Sequence, residues 1–190
     1  MSNGSRWPAV AVLCLAAVSA CRQSPAGNAA SPSTAPSPPV MTVNQLMHGI
    51  LFPAANTVFY AQADDPAAVP RDPMPSSSTN SLSGLYGGWQ AVENSALVLV
   101  ESADLMLTPG RMCENGEVVD VGNEDWIRFV ADYREKSLAA YEAALTKNQD
   151  TMVDASGYLS EACLACHRVY RREPTPGITT QRCIPGAPTR

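Results

Sequence analysis

The chain has 190 residues, 45% of them hydrophobic and 16% charged, with a formal net charge of −5. That length supports one domain with a proper core and excludes two large ones. The acidic balance argues against a general nucleic-acid binder, and the one stretch apolar enough to enter a bilayer is too short to span it.

That stretch lies in residues 1–20. A single basic residue, Arg6, precedes an apolar run from Ala9 to Val18, and small residues Ser19 and Ala20 follow. This is the order of a secretory signal. Its end, Val18-Ser19-Ala20-Cys21, resembles the lipobox of bacterial lipoproteins, and the resemblance implies a lipidated Cys21 at the start of the mature chain. Ordinary cleavage after Ala20 is the alternative. Residues 21–40 are rich in Pro, Ser and Ala; between Gln23 and Pro39 there is no charge and no large apolar residue. They read as a tether, on the order of 20–25 Å as a coil and ~50 Å as polyproline.

Residues 41–173 carry the periodicity of a folded domain. The first predicted helix covers about 43–61, with a capping box at Thr42 and Gln45 and an inner stripe of Val43, Met47, Ile50, Ala54 and Val58. Pro53 predicts a kink inside it. The second covers about 82–107, with Trp89, Val92, Ala96, Leu99, Ala103 and Met106 stepping by three and four. Asn123 is the expected N-cap of the third, with Glu124 and Asp125 in its first turn and Trp126, Phe129, Tyr133, Ala140 and Ala144 inward. After a break at 147–150, the fourth covers about 151–172, burying Met152, Ala155, Leu159, Ala162, Cys166 and Val169, and stops before Pro174. No stretch alternates with the period of a strand. Four amphipathic helices with three connections predict an all-α, antiparallel up-down-up-down four-helix bundle, followed by a tail at 174–190.

The fourth helix holds Cys163-Leu164-Ala165-Cys166-His167, the C-x-x-C-H signal for covalent haem c. The spacing follows from the chemistry. Cysteines three apart share a helical face, each thiol adds across one haem vinyl group, and the adjacent histidine reaches the iron as proximal ligand. A thioredoxin-like site needs a βαβ context, and a zinc site needs a second ligand pair; the sequence offers neither. Of the 23 residues after His167, none is methionine. A methionine on the far side of the iron must therefore come from upstream.

A four-helix chain ending in CLACHRVYR resembles the class II cytochromes c, meaning cytochrome c-prime and its low-spin relatives. Leu46-Met47 followed by Pro53, and Tyr170-Arg171, match that family more loosely. Where the family often carries a helix-one arginine, this chain has Val43 and Asn44. In an up-and-down bundle Met47 and His167 fall at one height near one end, and in the low-spin relatives a helix-one methionine takes the sixth iron position. Met47 is thus the expected distal ligand, with Met106 and His48 as rivals. The resemblance implies a one-electron carrier; its alternative is a five-coordinate haem protein binding nitric oxide or carbon monoxide. No acid–base constellation points to an enzyme. The expected partners are a redox protein and, through the lipid anchor, a membrane, without nucleic acid. The location is periplasmic, with Arg22 favouring the outer membrane, and family members often form homodimers.

Two cysteines remain after these assignments, Cys113 and Cys183. The bundle topology puts both at one end, where an oxidising compartment favours a disulfide between them. From Arg168 onward five arginines (168, 171, 172, 182 and 190) stand against Glu173 alone, a charge distribution suited either to haem propionates or an acidic partner, or to an ordinary solvated surface.

Overall fold

A computed structural model describes residues 37–171. The signal, Cys21, most of the tether, and the tail with Cys183 lie outside the described residues. The domain is all-α and built of four helices. The first, α1, consists of three consecutive stretches: an α-helical turn Val43–Leu46, a π-helical turn Met47–Leu51 and an α-helical stretch Phe52–Tyr60. Helices α2 (Trp89–Met106), α3 (Glu124–Thr146) and α4 (Gln149–Tyr170) follow, and each helix packs against the next in the chain.

The helix starts follow from capping chemistry. Thr42 Oγ1 accepts from Gln45 N–H while Gln45 Oε1 accepts from Thr42 N–H, at 3.2 and 2.9 Å. Asn123 Oδ1 accepts from the N–H groups of Asp125 and Trp126, and Asn148 Oδ1 from that of Thr151. Each satisfies donors that the first helical turn leaves without an intrahelical partner. Lys147, in the left-handed conformation with φ 53°, makes the tight break between α3 and α4.

Pro53 acts one turn earlier than a simple kink requires. It has no N–H, and its ring would strike the carbonyl four residues back. The backbone widens there: Phe52 N–H bonds to Met47 O, five residues back. The wider turn also rotates the buried face. Leu46 and Leu51 are buried, whereas Met47 and Ile50, expected on the stripe, are half-buried beside the core.

Helix α2 starts seven residues later than its apolar pattern suggests. Leu82 is buried, but within a short 3-10 turn, Ser81–Ser83. Gly87 passes so close to Leu82 O that a Cβ would collide with it, and Gly88 has φ 63°; these two glycines complete the turn that leads into Trp89. The connection before them is fixed by Thr57 Oγ1 against Ser81 Oγ at 2.8 Å and by Arg71 Nη2 donating to Leu85 O at 2.9 Å. Between α2 and α3, Met112 and Val118 form an isolated antiparallel bridge.

The predicted inner faces of α2 and α3 are buried. Alanines 96, 103, 140 and 144 let the backbones approach, while Val92, Leu99, Met152 and Leu159 fill the space between. In α4, Val169 is 44% exposed and Tyr170 is buried instead. The ring of Tyr170 meets Trp126 edge-on at 4.9 Å and Phe129 at 6.1 Å. No helix among the described residues is long and apolar enough to cross a membrane.

Candidate functional site

Helix α4 sets the chemistry. Cys163, Cys166, His167 and Tyr170 stand at i, i+3, i+4 and i+7, so they share one face. All four line a cavity of about 540 Å³, within the size range of small-molecule and cofactor sites. Helix α1 also lines it, with Met47, His48, Leu51, Phe52 and Phe59. The floor is Leu99 and Met106 from α2 and Trp126, Phe129, Val130 and Tyr133 from α3. Met47, Met106 and His167 all line this one cavity. Phe52, 62% exposed, and Leu164, 47% exposed, stand at the rim between α1 and α4.

The thiols of Cys163 and Cys166 are free and half-buried. Burial holds both in the protonated state, pushing Cys163 from the ordinary value of 9.0 up to about 11 and Cys166, which also faces Cys163, up to about 12. They are inert as thiolate nucleophiles near neutrality, unlike a redox dithiol. Burial, with a smaller contribution from Arg171, lowers the His167 pKa and favours the neutral imidazole that a metal needs. His167 O accepts from Arg171 N–H at 2.9 Å, which continues the helix past the ring.

The polar groups of the floor residues Tyr133 and Trp126 are both satisfied. Ser102 Oγ–H donates to Leu99 O at 2.8 Å, so the Tyr133 hydroxyl donates to Ser102 Oγ at 2.9 Å. Burial raises the Tyr133 pKa well above the phenol range, so it stays neutral. Trp126 Nε1–H donates to Met106 O at 3.1 Å, which ties the third helix to the second at the cavity. No buried side-chain nitrogen or oxygen among the described residues lacks a hydrogen-bond partner.

Among the described residues no three His, Cys, Asp or Glu side chains converge as ligands for a bare metal ion. The cavity lining is largely apolar and includes the side chains of Met47, His48, Met106 and His167. Two thiols one helical turn apart and an adjacent imidazole on α4, with thioether and imidazole candidates on α1, fit haem c in donor chemistry. Of the distal candidates, Met47 is half-buried, His48 exposed and Met106 4% exposed; all three line the cavity.

Cys113 is 1% exposed and disulfide-bonded, while its expected partner Cys183 lies outside the described residues. Arg168 and Arg171 are exposed, and Arg171 is the one arginine among the cavity-lining residues. The aromatic floor at Trp126, Phe129 and Tyr133 was legible as helix interior, yet nothing in the sequence marked it as a cavity wall. No protein family, curated protein or solved structure matches the chain.

Proposed function

We propose that this protein is a c-type cytochrome: an antiparallel up-down-up-down bundle that holds one covalent haem near one end and carries single electrons in the bacterial cell envelope. The observation that supports this reading is that Cys163, Cys166 and His167 line one largely apolar cavity that Met47 of α1 also lines. When bound, haem c supplies a reversible one-electron iron couple. The chain's own part is to bind, orient and tune. Cys163 and Cys166 fix the ring edge through thioethers, formed when each S–H adds across a vinyl double bond. His167 supplies a neutral nitrogen ligand from α4, and Met47 a thioether sulfur from α1. With the group bound, the apolar residues of the floor would limit water around it, and the satisfied Tyr133–Ser102 pair presents no free charge.

The exposed rim at Phe52 and Leu164 supports edge access for a partner redox protein, as an electron carrier requires. The resemblance of 18–21 to a lipobox supports export and a lipid tether at Cys21, hence a periplasmic location, and Arg22 after that cysteine favours the outer membrane over the inner. A homodimer is part of the same family reading.

A second reading has a specific observation behind it. Met47 sits on a π-helical turn and is only half-buried, so an open sixth site binding nitric oxide or carbon monoxide is the alternative. Absorption spectra of the haem-loaded protein, ferric and ferrous, with and without carbon monoxide, separate the two. The carrier predicts a low-spin spectrum with a sharp ferrous α band that carbon monoxide does not shift. A high-spin spectrum that does shift would replace it with the gas-binding reading.

A further inference from the structure

Helix α1 carries the distal wall, but its two ends are held differently. At the far end α4 supports it: Gln62 Nε2 donates to Ser156 Oγ at 2.7 Å, and Gln149 Nε2 donates to Ala61 O at 3.2 Å. At the near end the cavity parts α1 from α4. There the chain just before α1 is tied to the segment that follows α2. Val43 N–H donates to Met112 O at 2.9 Å. Arg111, 4% exposed, donates through Nη1 to Met41 O at 2.6 Å and through Nε to Leu105 O at 2.9 Å.

Among the described residues no carboxylate pairs with Arg111. A buried cation is costly, and an apolar side chain of the same volume would fill that space at lower cost. The carbonyl end of α2 offsets part of the charge through its partial negative dipole. What the guanidinium alone supplies is a rigid fork whose separate N–H groups reach two carbonyls at fixed angles. One belongs to the last turn of α2 and the other to the residue just before the cap of α1.

We propose that Arg111 is a positioning residue for the distal wall: its fork clamps the start of α1 to the end of α2 and so holds Met47 against the cavity. The π-helical turn Met47–Leu51 is the point about which an unclamped first turn would pivot, because it interrupts the regular α-helical ladder. The proposal rests on the haem reading for its spectroscopic arm alone; the clamp itself is tested without haem.

Arg111→Met and Arg111→Lys in the full-length protein provide the test, with site-resolved amide hydrogen exchange and the spectrum of the haem-loaded form as readouts. A hydrogen bond from a charged donor is strong enough to change local opening by roughly tenfold or more. Arg111→Met is expected to speed exchange at 46–51 by about that factor while the centres of α2, α3 and α4 stay unchanged. In the loaded protein it should weaken the ferric sulfur-to-iron band and admit carbon monoxide. Arg111→Lys reaches one carbonyl at a time and should fall between, and it decides the matter where the methionine variant does not fold. Unchanged exchange in α1, or equal acceleration in all four helices, would overturn the proposal. A wild-type protein that takes up no haem defeats the functional reading, and the exchange result still judges the clamp.

Discussion

Replacing Cys163 and Cys166 together by alanine is expected to remove all haem that survives denaturation, while the four helices persist. In the proposed reading the thiols bond the cofactor covalently; without them only axial coordination would remain, and denaturant would release it. The fold survives because both side chains are half-buried on the cavity wall rather than at the centre of the core. Their loss costs about 1 kcal/mol each, within what a domain of this size tolerates. Haem-dependent staining of a denaturing gel reads the first effect and far-ultraviolet circular dichroism the second. Haem that stays with the denatured double variant would show that other residues hold it.

Met47→Ala is expected to convert the loaded protein from six- to five-coordinate iron. The sulfur-to-iron charge-transfer band of the ferric form should vanish, and the ferrous form should bind carbon monoxide. His48→Ala and Met106→Ala are the controls. Both side chains line the cavity, yet His48 is exposed, and Met106 is buried on the α2 side where its carbonyl holds Trp126. Neither should move the band. A band that survives Met47→Ala, or disappears in Met106→Ala, would assign the sixth position elsewhere. The stability cost of Met47→Ala should be about 1–2 kcal/mol, because a half-buried methionine contributes less than one in a closed core.

Much of this was legible in the sequence because the signals were local. The capping residues Thr42 and Asn123 mark the starts of α1 and α3 through short-range hydrogen bonds, and the apolar steps in α2 and α3 match their buried faces. C-x-x-C-H on a helix presents one face, so the spacing alone indicates that Cys163, Cys166 and His167 line a common surface, as they do in the cavity. The misses share a cause: competition between a local pattern and backbone geometry. Pro53 signalled a disturbance but not its form. The π-helical turn it produces moved Leu46 and Leu51 inward and left Met47 and Ile50 half-buried. Leu82 has the apolar character of a helix position, but Gly87 and Gly88 turn the chain before α2 can begin. Val169 continues the stripe of α4 on paper; at the last turn, however, the aromatic cluster of Trp126 and Phe129 recruits Tyr170 instead.

The cavity itself was not legible. Periodicity reports which face is apolar, not whether two apolar faces touch or stand apart, and α1 and α4 stand apart where they line the site. Nor did anything mark Arg111. A lone arginine in a loop reads as surface, and only the meeting of Met41 and Leu105 carbonyls around it explains its burial.

The central claim, that the cavity between α1 and α4 holds a covalently attached haem, is tested most directly by the intact mass of the denatured protein. The protein should be produced by export in cells competent to attach haem c. The account predicts a mass greater than that of the chain by one haem, with the added mass confined to the peptide containing Cys163, Cys166 and His167. A denatured chain with no added mass, and with both thiols still open to alkylation, would contradict it.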